Sequence, residues 1–127
     1  MSLHEKSFEV ASELKEQMIN LIDDLLEILP NETDIFLVRI YFDTAINPIE
    51  LMDNFIEYVL PWRDYIEQRD ETYFEKNDHI FGKLPKNKVQ HFKNLYTNDV
   101  FDASQKEIIW QYFDVFLSLA DTYKKYI

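Results

Sequence analysis

The amino-acid sequence predicts an all-α protein: a single-domain helical bundle of about five to six helices, with long first and last helices packed together. Three observations lead there. Apolar side chains recur at steps of three and four through both ends of the chain, glycine is nearly absent, and the one strand-like run has no partner to pair with. Gly82 is the only glycine among 127 residues, where average usage would supply about nine. Sites that cradle a ligand in a glycine-rich backbone loop are therefore not expected.

The elements follow in chain order. Ala11, Leu14, Met18, Leu21, Leu25 and Ile28 align along one side of a helix predicted over residues 7–29 and closed by Pro30. Glu9, Glu13, Glu16, Asp23, Asp24 and Glu27 then fall mainly towards water. Asn31 is the expected cap of a second helix, and Asp34 favours its positive N-terminal end. The body of that helix, residues 35–42, has the length and β-branched content of a buried strand. A lone strand leaves its backbone unpaired, so helix is the expectation. Asn47-Pro48 opens a third helix, with asparagine as cap and proline at the first position, where a missing N–H costs nothing. Leu51, Met52, Phe55, Ile56 and Val59 form its inner face. Pro61 breaks or kinks it, and a fourth helix is expected over residues 62–76. Residues 77–86 read as a loop holding Gly82 and Pro85, 87–96 as a short helix, and 98–103 as a link. Ser104 and Glu107 have capping-box spacing and open the last helix. Eleven of the 16 residues from 108 to 123 are apolar or aromatic. A helix apolar over more than half its girth needs neighbours on several sides, which puts this one at the centre of the fold.

Composition narrows the function classes. With 46% apolar and 16% aromatic residues the chain carries enough surface to bury for one core. The absence of cysteine excludes disulfides, thiolate nucleophiles and cysteine-ligated metal, and fits a reducing compartment. No opening stretch has signal-peptide order, and no run approaches the roughly 20 apolar residues that cross a bilayer. A soluble cytoplasmic protein without membrane contact is expected.

The net charge of -11 is unevenly placed. Residues 1–60 hold 3 basic and 13 acidic side chains, net -10, whereas residues 61–127 hold 10 and 11, net -1. The first half repels nucleic-acid backbones and suits a basic partner. Only residues 79–98 reverse the sign, being free of acids and holding Lys83, Lys86, Lys88, His91 and Lys93. These five are the candidate anion or nucleic-acid contacts, and the interleaved Phe81, Phe92 and Tyr96 have the chemistry to stack on bases.

Catalytic and metal constellations are sparse. Glu67, Glu71 and Glu75 fall at i, i+4 and i+8 with Asp78-His79 beyond, a carboxylate-rich pattern without the paired Glu-x-x-His motifs of di-iron bundles. His4, His79 and His91 form no i, i+4 pair, and no Gly-x-Ser-x-Gly or phosphate-loop motif occurs. No cofactor and no enzymatic activity are expected. Arg39, alone in the apolar run 35–42, is a candidate anchor for a partner's carboxylate, although Asp43 at i+4 offers an intrahelical pair. Trp62 and Trp110 read as core. Ten Phe and eight Tyr exceed what one small core encloses, which leaves an aromatic interface patch, with Tyr123, Tyr126 and Ile127 the expected spill-over.

Leu60-Pro61-Trp62 with Tyr65-Ile66, Arg69-Asp70-Glu71 and Tyr73-Phe74, followed by residues 107–112, resembles short uncharacterised proteins of large nucleocytoplasmic DNA viruses of algae and protists. The resemblance covers the second half of the chain. It implies a viral protein acting in the host-cell cytoplasm, with no activity and no functional residues attached. The function expected from the residues is non-enzymatic protein–protein interaction, as an adaptor, a regulator or a self-assembling subunit. A nucleic-acid accessory protein using residues 83–93 is the alternative, and a carboxylate/histidine metal-site protein a distant one.

Overall fold

The structure, a computed structural model, describes residues 2–127. Ser2 caps the first helix by accepting the backbone N–H of Glu5 at 3.1 Å. Helix α1 (Leu3–Ile28) therefore starts a turn earlier than its apolar period indicates. Residues 35–42 are helical, within α2 (Thr33–Thr44). Its N-cap is Glu32, whose side chain makes no capping bond, and Asn31 instead lies in the turn after Pro30. At α3 (Pro48–Tyr58) the expected cap is in place, Asn47 Oδ1 accepting from the N–H groups of Ile49 at 2.9 Å and Glu50 at 3.2 Å.

The predicted fourth helix is two helices. A 3₁₀ turn over Leu60–Trp62 leads into α4 (Arg63–Glu67), and α5 (Thr72–Lys76) follows after a break. Arg69 in the break has φ 54°, a left-handed conformation that a helix cannot pass through. Asp70 Oδ1 then accepts the N–H of Thr72 at 3.0 Å, a local turn that competes with helix continuation. Ion pairs hold the arginine there: its guanidinium lies 2.7 Å from Asp114 and 3.1 Å from Glu107.

Helices α6 (Lys86–Thr97) and α7 (Ala103–Lys124) complete the chain. The capping box of α7 is Asp102 with Gln105, two residues before the expected Ser104 and Glu107: Gln105 N–H donates to Asp102 Oδ1 at 2.8 Å, and Asp102 N–H to Gln105 Oε1 at 2.9 Å. Glu107 is committed to Arg69 instead. Seven α-helices, rather than five to six, account for the described residues, 76% helical and without strands. No helix among them is long and apolar enough to cross a membrane.

Helices α1 and α7 pack along each other, as their matched lengths suggest, and α2 and α3 lie against α1. Tyr112 on α7 donates its hydroxyl to Asp24 on α1, and Arg63 pairs with Asp121. The expected aromatic surplus is largely absorbed inside. Tyr73, Phe74, Tyr96, Trp110 and Phe113 are all buried, with Phe74 centred 4.2 Å from Tyr96 and 4.8 Å from Trp110. Such offset and edge-on pairs contribute about 0.5–1.5 kcal/mol each beyond their buried area.

Gly82 turns the 77–85 loop at φ 97°, its N–H donating to His79 O at 2.9 Å. A Cβ there would meet the backbone of α3, 3.3 Å from Phe55 N. The lone glycine thus solves a packing problem between loop and helix.

Candidate functional site

The acid-free segment does not form a free basic patch. Lys93 is only 6% exposed, its Nζ 3.3 Å from Asn77 O and 3.5 Å from Asp78 Oδ1, so it is not available to an outside anion. His91 lies between two carboxylates of the α2 entrance, Nε2 3.0 Å from Glu32 and Nδ1 3.7 Å from Asp34. Lys88 approaches Asp34 at 4.0 Å. Acids distant in sequence therefore complete what the segment lacks. Lys83 and Lys86 are exposed without an ion-pair partner among the described residues, but they point to different places. Lys83 borders a depression shared with Tyr41 and Glu50, and Lys86 one shared with Asp78 and Lys93. Phe92 and Tyr96 are buried in the core and present no stacking face.

The carboxylate row at Glu67, Glu71 and Glu75 shares no helix face, because the helix is interrupted between α4 and α5 and Glu71 lies in the break. Among the described residues no three His, Asp or Glu side chains converge as a metal site would require. Two buried polar atoms, Asn77 Nδ2 and His79 Nδ1, lack a hydrogen-bond partner, and the His79 ring stacks on Tyr58 at 4.4 Å.

The interface candidates divide differently from the expectation. Tyr123 is 4% exposed and donates to Asp53 Oδ1 at 3.2 Å, so it belongs to the core. Tyr126 is half-buried with the Lys6 amine over its ring at 5.7 Å, and only Ile127 is open. Arg39 reaches Asp23 on α1 at 2.8 Å as well as Asp43 at 3.4 Å. The Asp23 hydrogen bond is the main cause holding its guanidinium proton more tightly than usual. Its charge is spent inside the molecule, tying α2 to α1.

The large exposed apolar surface lies on α2 itself. Ile35 and Phe42 are its only fully buried side chains, whereas Phe36, Leu37, Ile40 and Tyr41 are 39–54% exposed. At 100° per residue Thr33, Phe36, Leu37, Ile40, Tyr41 and Thr44 occupy one outward sector of about 140° without a charge. Asp34 and Asp43 stand at its two edges. At about half exposure the four large side chains leave on the order of 400 Å² uncovered, the size of the largest apolar patch on an ordinary monomer, which is often a functional surface. Beneath α2 lies an apolar cavity of about 50 Å³ walled by Leu21, Leu25, Val38, Phe42, Leu84 and Phe92. The helix is thus packed on α1 and α6 below and uncovered above.

Sequence reasoning missed this face because residues 35–42 are apolar on every side but that of Arg39, which reads as burial. The available signal was the same one that centred α7: an all-round apolar helix needs several neighbours, and α2 has them on one side. Beside it, α1 carries Glu5, Glu9, Glu16, Asp23 and Glu27 within a sector of about 40°, all exposed. Asp23, bonded to Arg39, places that acidic stripe next to α2.

No family model, curated protein or solved structure matches this chain.

Proposed function

We propose that the protein works by binding another protein, with the outer face of α2 as its docking surface, and that it carries out no chemical step of its own. The observation that carries this reading is the uncharged outward sector of α2, with four large apolar side chains 39–54% exposed. Scattered exposed apolar residues are ordinary, but four on one turn-and-a-half of helix form a patch that water penalises until a partner covers it. The resemblance to proteins of large DNA viruses would place that partner in the cytoplasm of an infected cell. A nucleic-acid role is disfavoured, because three of its five candidate cations lie against intramolecular partners.

The test compares two double variants, Phe36→Ser with Ile40→Ser on α2, and Ile108→Ser with Val115→Ser on α7, which remove similar exposed apolar area. Both should fold with helical circular dichroism like the unaltered protein. In affinity capture from cells that make the protein, the α7 variant retains the captured partner and the α2 variant loses it. Equal capture by both variants overturns the reading.

A further inference from the structure

We propose that the segment docking on α2 is a basic amphipathic helix of a partner protein, an assignment that rests on the reading of α2 as the docking face. Three features of the surface select it. The first is shape. Partner segments dock mainly by extending a sheet edge or by laying a helix along an apolar face, and the described residues offer no strand to extend. The exposed face of α2, 12 residues or about 18 Å long, matches three turns of a second helix, whose apolar positions at i, i+3 or i+4, and i+7 would cover Phe36, Leu37, Ile40 and Tyr41.

The second is charge. Asp34 and Asp43 edge the face, and Glu16, Asp23 and Glu27 of α1 run alongside. Every cation in the first sixty residues is engaged internally: Lys6 over Tyr126, Lys15 on Ile46 O at 3.0 Å, and Arg39 between Asp23 and Asp43. On the opposite flank, Lys88 and His91 face Asp34 and Glu32. Arg39 meets Asp23 and Asp43, Lys88 and His91 meet Asp34, and Lys83, unpaired among the described residues, borders Tyr41. Glu16, Glu27 and Glu50 have no ion-pair partner among the described residues, so the charge left around the patch is net negative and calls for lysine or arginine along the edges of the incoming helix.

The third is the exclusion of other occupants. A second copy would bring net -10 in its first sixty residues against the same charge. Helices that lie on membranes flank their apolar face with Lys and Arg, whereas this face is flanked by carboxylates that an anionic leaflet repels.

The experiment titrates the full chain with two labelled peptides of about 18 residues, five helical turns, sharing one leucine face and carrying either lysine or glutamate elsewhere. Fluorescence anisotropy is read at low and high salt, and repeated with the Phe36→Ser, Ile40→Ser variant. The leucine–lysine peptide should bind, weaken as salt rises, and lose about tenfold or more in affinity on the variant, while the leucine–glutamate peptide does not bind. Equal binding of the two peptides overturns the basic-helix assignment and leaves the docking face standing. Lysine-peptide binding that ignores the variant shows charge attraction alone and overturns the assignment. Binding by neither peptide also overturns it, and the capture experiment then decides the docking face separately.

Discussion

Gly82 holds φ 97° with the backbone of α3 close enough that an added Cβ would sit 3.3 Å from Phe55 N. Gly82→Ala is expected to lower stability by about 1–2 kcal/mol in urea unfolding, from backbone strain and the forced shift of α3. An unchanged midpoint would mean that the loop re-forms at negative φ. The sequence located this glycine as the only one and as part of a loop, but α3 as its neighbour exists only in three dimensions. Tyrosine gives a second residue-scale prediction. Burial, then the hydrogen bond to Asp24, pushes the Tyr112 hydroxyl up to about 12 from its ordinary 10. Burial likewise raises Tyr73 and Tyr96. Since the folded chain keeps these protons longer than the unfolded chain, their contribution is complete below pH 10 and is lost as pH rises towards the folded values. Stability should fall above about pH 10, and Tyr112→Phe should make that fall shallower up to about pH 12. An identical alkaline slope for the variant counts against the Asp24 contact.

Helix ends and faces show where local signals mislead. Three candidate caps were legible as residue types, but only Asn47 caps as expected. Asn31 is displaced into a turn, and Asp102 rather than Ser104 caps the start of α7. Both Asp102 with Gln105 and Ser104 with Glu107 satisfy the spacing; the second pair is unavailable because Glu107 faces Arg69. Asp102→Ala should cost about 1 kcal/mol in chemical denaturation, while Ser104→Ala stays within about 0.5 kcal/mol. The reverse order would restore Ser104 as the cap. On α2, Phe42→Ala on the buried side should cost about 3–5 kcal/mol, whereas Ile40→Ser on the outer side, where the side chain is only partly covered, should cost about 1 kcal/mol. Comparable losses at both positions would show that the outer face is covered. No hydropathy pattern separates Phe36 from Phe42, because both belong to one apolar run interrupted only by Arg39.

For the molecule as a whole, net charge -11 opposes compaction, and the exposed stripe on α1 concentrates that repulsion along some 33 Å. Raising NaCl from low salt to about 0.15 M, where the screening length is about 8 Å, should raise the thermal midpoint. A lowered midpoint would show that the exposed pairs at Arg39, Arg63 and Arg69 outweigh the self-repulsion. The sequence by itself determined the helical class, the long first and last helices and the acidic first half, because each follows from spacing or composition within one segment. Tertiary structure alone decided which charges remain available and which apolar face remains open. Glu32 and Asp34 answer His91 across 59 and 57 positions, and α1 and α6 cover one side of α2 while no described residue covers the outer sector. Availability depends on which neighbour arrives, and helical periodicity carries no information about neighbours remote in the chain.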